Sequence, residues 1–221
     1  MKQLFLAITA GSLMMISCQT APDADNAATS EKQSAAAATG DTLSIDIAGS
    51  TIGWVGTKTG GQHNGTFNVA NGFLTVAEGN VTGGAFNIDV ASLSVADLTG
   101  DDKGKLEGHL KSADFFQVDS FPTARFEITN VAAFDPAMNS SKLPGATHTI
   151  SGNLTLRGQT NNVSFPAILK IDGEKVTAVA DFNIDRTNWG LVYKGPNNPA
   201  DWLIAKEVNL KLDVKATGGN L

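Results

Sequence analysis

The side chains of this sequence best suited to acid–base or metal chemistry are its three histidines, His63, His109 and His148. Their spacing matches no metal-binding pattern, so we predict no metal site. The sequence also has no nucleophile elbow, P-loop or zinc-protease motif, and spacing therefore identifies no set of catalytic residues. His63 alone stays open as an acid or base, because it enters a predicted strand directly after a glycine-rich turn.

Four acidic residues, Asp97, Asp101, Asp102 and Glu107, have a faint likeness to a calcium-binding loop. Asp102 stands where such a loop needs glycine, and Gly108 stands where it needs its closing acidic ligand. We interpret the group as the solvated start of a helix, where negative charge is favourable. No cofactor is predicted from these residues.

Aromatic side chains indicate a different chemistry, the burial of an apolar core or of an apolar ligand. They fall in most predicted elements and share a register with aliphatic neighbours. The interior of an eight-stranded barrel can be filled by such side chains or can hold one ligand, and the pattern alone leaves both alternatives open. The residues concerned are Trp54, Phe67, Phe73, Phe86, Phe115, Phe116, Phe126, Phe165, Phe182 and Trp189.

The elements that position these side chains are predicted to be β-strands, since apolar and polar residues alternate from Leu43 onward. Tight hairpins are predicted at Asn71-Gly72, within Ala70-Asn71-Gly72, and at Asp172-Gly173, because both dipeptides lie between apolar runs. The pattern predicts roughly eight to ten strands in one mainly β, antiparallel domain, either a sandwich or a closed barrel.

One stretch, from Gly108 to Phe126, departs from the period of two. Asp101 or Asp102 is available as a helix N-cap before it, and Pro122 prevents a helix from continuing to its end. We therefore predict one helix near the middle of the chain. Its apolar positions, spaced at i, i+4 and i+7, are Leu106, Leu110 and Ala113.

The N-terminal residues predict export rather than a folded element. Residues 1–17 have a short basic start and an apolar run too short to span a bilayer, as in a secretory signal. Met15-Ile16-Ser17-Cys18 resembles the lipobox of bacterial lipoproteins, in which the cysteine is lipidated; an ordinary signal peptide with an incidental cysteine is the alternative. Residues 18–41 have no aromatic side chain, so we predict a disordered tether there.

The net charge of −6, with no cluster of lysine or arginine, argues against nucleic acid as a partner. It equally disfavours electrostatic docking on anionic lipid. Membrane association is therefore predicted to depend on acyl chains at Cys18. Whether the protein forms a homodimer is left open.

A set of motifs in residues 43–216 together resembles the YceI-like family of isoprenoid-binding proteins. The resemblance implies a single antiparallel, lipocalin-like β-barrel over residues 42–217, with one helix inserted near the middle. It also implies that the interior holds a long-chain isoprenoid or another amphipathic lipid in the cell envelope. The motifs are Trp54 with His63-Asn64-Gly65-Thr66-Phe67, His109-Leu110-Lys111-Ser112-Ala113-Asp114-Phe115-Phe116, Phe121-Pro122-Thr123 with Phe126, Gly152-Asn153-Leu154-Thr155-Leu156-Arg157-Gly158, and Arg186 with Trp189-Gly190.

Under this resemblance, apolar residues are expected to line a channel for the lipid tail, and His63 and Arg186 to lie near its polar end. Arg186 making a structural hydrogen bond instead is the alternative. Phe115 and Phe116 are candidates for a lid at one end of the barrel. The expected ligand-binding set is Trp54, His63, Phe67, Phe86, Leu110, Phe115, Phe116, Phe126, Leu154, Phe165, Phe182 and Arg186.

The function predicted is carriage or storage of the lipid by a protein that is not an enzyme. Two alternatives remain: an enzyme that uses His63, and an envelope scaffold with a filled core and no ligand. The location expected is the periplasmic side of the envelope or the cell surface, anchored by lipid. The outer membrane is favoured because Gln19, and not an acidic residue, follows Cys18.

Overall fold

The computed structural model of the protein describes residues 20–137, 139–196 and 203–218. The predicted signal segment 1–17 and the predicted lipidation site Cys18 lie outside these residues, and both stay predictions. Among the described residues, no helix has the length and apolar character needed to cross a bilayer.

Eleven strands, one α-helix and a 3₁₀ helix (Arg186–Trp189) make up the described chain. The helix α1 spans Gly100–Lys111 and separates β6 from β7. The strands are β1 (Asp25–Asn26), β2 (Ala28–Glu31), β3 (Asp41–Ile45), β4 (Thr51–Lys58), β5 (Gly61–Ala77), β6 (Asn80–Val95), β7 (Thr123–Ala133), β8 (His148–Leu156), β9 (Gln159–Asp172), β10 (Lys175–Asp185) and β11 (Ile204–Thr217).

The strands from β3 to β11 form one closed antiparallel barrel. β3 and β4 share a single position between β5 and β11, and β5 to β11 fill seven more, so the wall has eight positions. Pairing of β9 with β10 closes the circle. The predicted barrel of about eight strands with one inserted helix is confirmed.

The hairpin predicted at Asn71-Gly72 is wrong, because these two residues lie within β5, a single strand of 17 residues. Gly72 lies directly opposite Phe86 on β6, and a Cβ there would overlap the Phe86 side chain. Glycine is thus present for close strand contact, not for a turn. The reversal comes at Glu78-Gly79, whose φ values of 52° and 74° suit a two-residue hairpin turn.

The hairpin predicted at Asp172-Gly173 is confirmed, with Gly173 at φ 56° between β9 and β10.

The predicted helix exists, but its ends differ from the prediction. Thr99 is the N-cap residue, so Asp101 and Asp102 lie in the first turn and do not cap it. The helix ends at Lys111, which leaves Ala113 exposed beyond its last turn. None of its side chains is fully buried, and Leu106 and Leu110 are half-buried against the barrel.

The predicted disordered tether is wrong for residues 22–39, which we call the strap. Its β1 pairs in parallel with β10, and its β2 pairs antiparallel with β9. β9 and β10 pair with each other only over 168–172 and 175–179, so their remaining facing edges are open to the strap.

The strap is held by hydrogen bonds to its own main chain, and not by large apolar side chains. A prediction based on its polar composition therefore missed its order. Gln33 donates its N–H to Asn153 Oδ1 (3.0 Å) and accepts from Asn153 Nδ2 at its own carbonyl (2.8 Å). Asn183 Nδ2 donates to the Pro22 carbonyl (3.0 Å). Asn153 and Asn183 are buried on the outer face of the barrel, where the strap covers them. Such a segment needs no large apolar side chains to be ordered.

Candidate ligand-binding site

The barrel encloses a cavity of about 300 Å³ whose wall is almost entirely apolar. It lies at the end of the barrel covered by α1 and by the segment that follows it. Lys58, on its wall, is exposed, so the cavity reaches the surface beside that residue. The lining residues that the strands supply include Ile52, Trp54, Phe67, Ile88, Val90, Leu93, Ala124, Leu154, Leu156, Ile184, Val208 and Leu210.

Eight of the twelve residues predicted to bind the ligand line this cavity. The other four lie deeper, and three of them, Phe86, Phe126 and Phe165, line a second cavity of about 40 Å³. The fourth, Phe182, is buried and stacks on Phe165. The eight around the large cavity are Trp54, His63, Phe67, Leu110, Phe115, Phe116, Leu154 and Arg186.

The four deeper phenylalanines form one continuous layer, which we call the phenylalanine layer. The ring centroids of Phe86 and Phe126 are 5.4 Å apart, and those of Phe126 and Phe165 are 5.9 Å apart. Phe165 and Phe182 stack face to face at 3.9 Å, with 6° between their planes. These rings lie in the barrel interior on β6, β7, β9 and β10 and do not line the large cavity.

Aromatic rings also cover the opposite end of the large cavity. Phe116 meets Phe67 edge to face at 5.5 Å, and Phe115 lies 5.2 Å from the ring of His109. Tyr193 completes the cluster, 4.9 Å from His109 and 5.3 Å from Phe115. The structure thus places Phe115 and Phe116 at a barrel end, where the lid hypothesis needs them.

Arg186 is buried, and carbonyl oxygens accept hydrogen bonds from each of its guanidinium nitrogens. Nε donates to Ala205 (3.0 Å), Nη1 to Leu191, and Nη2 to Tyr193 (3.1 Å) and Ile204 (3.2 Å). Burial lowers the pKa of Arg186, and the neighbouring Asp185 opposes that shift. The geometry matches the structural alternative for this residue, since Arg186 ties the loop after the 3₁₀ helix to β11.

His63 is paired with a carboxylate at the cavity mouth. Its Nδ1 lies 2.8 Å from Asp97 Oδ2, and the Asn64 N–H donates to Asp97 Oδ1 at 3.0 Å. Partial burial acts to raise the pKa of Asp97, but the hydrogen bonds from Asn64 and His63 outweigh it and leave that pKa below its ordinary value. Asp97 therefore stays ionised and orients the imidazole ring.

The ionisable side chains that line the cavity are basic residues, although the chain as a whole carries a net charge of −6. Lys58, His63, His109 and Arg186 face it, and among the described residues no carboxylate does. The carboxylates of Asp97 and Asp114 contact the two imidazoles but do not belong to the lining. This end of the cavity suits a polar or negatively charged group.

A family model described as the YceI-like domain matches residues 43–216. The chain belongs to the YceI-like family. Curated relatives named Protein YceI, from Salmonella arizonae and Salmonella newport, are each 34% identical over 110 residues. That alignment covers 50% of this chain and 50% of each relative, so the chain spans about half the length of the curated relatives it matches.

Two solved structures share the YceI-like barrel. BcnA from Burkholderia cenocepacia superposes with a TM-score of 0.61 at 20% identity, covering 78% of this chain and 99% of BcnA. A polyisoprenoid binding domain from Saccharophagus degradans superposes with a TM-score of 0.56 at 17% identity, covering 80% of this chain and 98% of that domain. At these identities the likeness concerns the fold.

The YceI-like barrel also places residues at the cavity that the sequence did not single out for ligand binding. Leu191 lines the cavity and Tyr193 packs on the lining residues His109 and Phe115; both lie in the irregular segment after the 3₁₀ helix, where no period indicates a direction. His109 was not in the expected ligand-binding set, yet it lines the cavity. The one available signal was its position immediately before Leu110, on the helix predicted to cover an apolar face.

Proposed function

We propose that this chain binds a long-chain isoprenoid or similar amphipathic lipid, with its tail in the large cavity and its head group at the basic mouth. The observation that carries the proposal is an apolar cavity of about 300 Å³ inside a closed barrel, with lysine and histidine at its surface end. Further support is the fold shared with the polyisoprenoid binding domain from Saccharophagus degradans.

The apolar wall supplies most of the affinity in this proposal. Burial of roughly ten tail carbons is worth about 8 kcal/mol, at about 0.8 kcal/mol for each methylene, before the costs of association are subtracted. The polar residues at the mouth, Lys58, His63 and His109, then select the head group. Arg186 holds the loop beside them.

We further propose that the protein carries or stores this lipid in the cell envelope, anchored through an acylated Cys18. The strap begins at residue 22, so only a few residues separate Cys18 from the barrel wall. Such an anchor would keep the barrel close to the membrane surface. The outer membrane remains the favoured location.

The test is lipid extraction and native mass spectrometry of the full chain purified from its own envelope. We expect one amphiphile per protein, lost in Phe67→Ser, which places a hydroxyl in the cavity wall. Phe73→Ser is the matched control, since Phe73 is on the same strand but 36% exposed and outside the cavity. A folded wild-type protein with no bound amphiphile would overturn the proposal and favour the scaffold alternative.

The pairing of His63 with Asp97 is the one observation that favours the enzyme alternative, since a carboxylate-oriented imidazole can act as a base. Among the described residues that line the cavity, only Thr57 has a hydroxyl, and Thr57 is buried. Turnover of a bound lipid that His63→Ala abolishes, with lipid binding retained, would establish that alternative. Unchanged lipid after prolonged incubation is the expected result.

A further inference from the structure

The phenylalanine layer lies at the level where the large cavity stops and the small one begins. On β7, Ala124 lines the large cavity, Phe126 belongs to the layer, and Ile128 lines the small cavity. On β10, Ile184 lines the large cavity, Phe182 belongs to the layer, and Ala180 lines the small cavity. Inward-facing residues of a strand alternate, so these successive positions mark successive depths in the barrel.

The layer is built into the fold by close packing. Phe165 and Phe182 are 3% and 2% exposed, and their stacked rings leave no gap for a chain between them. Phe126 lies across the main chain of β8 at Gly152, where a Cβ would overlap its ring. Phe86 is opposite Gly72 on β5. Two inward glycine positions thus make room for two rings of the layer.

We infer that the phenylalanine layer is the floor of the lipid site and sets the maximum length of the tail that the barrel accepts. This inference rests on the proposed function and deepens it, because it names the class of lipid. The rings separate about 300 Å³ of cavity from the remaining 40 Å³, so a tail that enters from the mouth ends at the rings.

The depth above the layer indicates which tails fit. Ile52 and Lys58, at the two ends of the β4 portion of the wall, both line the large cavity. Six residues of strand rise about 20 Å, which is about 15 Å along the axis of a barrel with ordinary strand tilt. An extended tail of about three isoprene units spans roughly that length, from carbon–carbon bonds of about 1.5 Å. The site therefore suits isoprenoids of about 15 to 20 carbons and excludes the far end of a 40-carbon chain.

The experiment measures the affinity of the purified full chain for a series of isoprenoid alcohols of 10, 15, 20 and 40 carbons, by displacement of a fluorescent fatty acid. For the wild type, we expect affinity to rise up to 15 or 20 carbons and then to stop rising. In Phe126→Ala, which connects the two cavities, we expect the preference for the 40-carbon alcohol over the 15-carbon alcohol to increase by about tenfold or more.

Phe67→Ala is the matched control, because it removes the same ring from the wall of the large cavity and leaves the layer intact. It is expected to weaken all chain lengths alike. Phe126→Leu provides a milder opening should Phe126→Ala not fold, and we expect a smaller shift in the same direction. Thermal unfolding of each variant verifies that the folded protein is being measured.

The outcomes separate the two proposals. If no alcohol of any length binds the folded wild type, the proposed function fails. If alcohols bind but the 40-carbon chain gains affinity over the 20-carbon chain in the wild type, the floor is overturned and the proposed function stands. An unchanged chain-length preference in folded Phe126→Ala and Phe126→Leu would overturn the floor as well.

Discussion

The side chain of Glu107 on α1 accepts a hydrogen bond from the main-chain N–H of Val95 at the end of β6, at 2.8 Å. Val95 is fully buried and Lys103 lies 3.6 Å from the same carboxylate, so this contact fixes the helix on the barrel. The helix has no fully buried side chain of its own. Its position above the cavity therefore depends strongly on a polar contact that pH can change.

We predict that α1 loosens in acid. The hydrogen bond from Val95 is the main reason that the pKa of Glu107 lies below its ordinary value of 4.5, with Lys103 and Lys111 adding to the shift. A carboxyl group whose pKa is lower in the folded state than in the unfolded chain stabilises the folded state at every pH above the unfolded pKa. This stabilisation is lost as the pH falls from 4.5 through the folded-state pKa. Hydrogen exchange of the α1 and β6 amides between pH 3 and pH 7 should show this loss of protection.

Glu107→Gln is the informative variant, because its amide oxygen can still accept from Val95 but does not titrate over this range. We expect the protection of its α1 amides, relative to their intrinsic exchange rates, to stay constant over the pH range in which protection of the wild type falls. Asp102→Asn is the matched control, since Asp102 is on the same helix and 79% exposed. An acid transition in α1 that persists in Glu107→Gln would show that another group is responsible.

The strap should detach when its asparagine contacts are removed. In Asn153→Ala, both main-chain groups of Gln33 lose their partner. We expect a loss of about 1–3 kcal/mol in unfolding free energy, because two partly buried hydrogen bonds are lost, and faster proteolysis within residues 22–39. Asn87→Ala is the control, since that half-buried asparagine contacts the side chains of Asn71 and Arg125 and not the strap. Equal proteolysis of the two variants would mean that Asn153 does not hold the strap.

The two phenylalanines of the predicted lid should behave differently. Phe116 is half-buried and contacts Phe67 across the cavity, so Phe116→Ala should speed lipid release several-fold with a small loss of stability. Phe115 is buried among His109, Tyr193 and Arg186, and Phe115→Ala should cost about 3 kcal/mol of unfolding free energy. Release kinetics of a fluorescent lipid and urea unfolding measure the two effects. Equal loss of stability in both variants would make Phe116 an ordinary core residue.

Gly152 should tolerate alanine only when Phe126 is smaller. The added Cβ overlaps the Phe126 ring, so Gly152→Ala is expected to destabilise the protein by about 1–3 kcal/mol. Combined with Phe126→Leu, the same change should cost less than the sum of the two single variants. Gly104→Ala, in open space on α1, is the matched control and should stabilise by up to about 1 kcal/mol. Additive effects at residues 126 and 152 would contradict the predicted overlap.

The strand class, the inward and outward faces, the single helix and the turn at Asp172-Gly173 could all be predicted from the sequence. These features depend on short-range periodicity and on the backbone preferences of a few residues. The twelve expected ligand residues followed from the resemblance to the YceI-like family, and all twelve lie around the cavity or in the barrel core.

Only the tertiary structure decided how those residues divide between the cavity and the phenylalanine layer. Alternation tells which face a side chain takes, but its depth in the barrel depends on the register of strands that are far apart in the chain. The same reason explains the error at Gly72, whose role is set by Phe86 on the neighbouring strand, and the error in the strap, whose partner strands β9 and β10 lie more than a hundred residues away. The periodicity of the sequence therefore determined a mainly β domain with an apolar interior, the resemblance to the YceI-like family indicated a barrel, and long-range strand pairing determined where that interior is open.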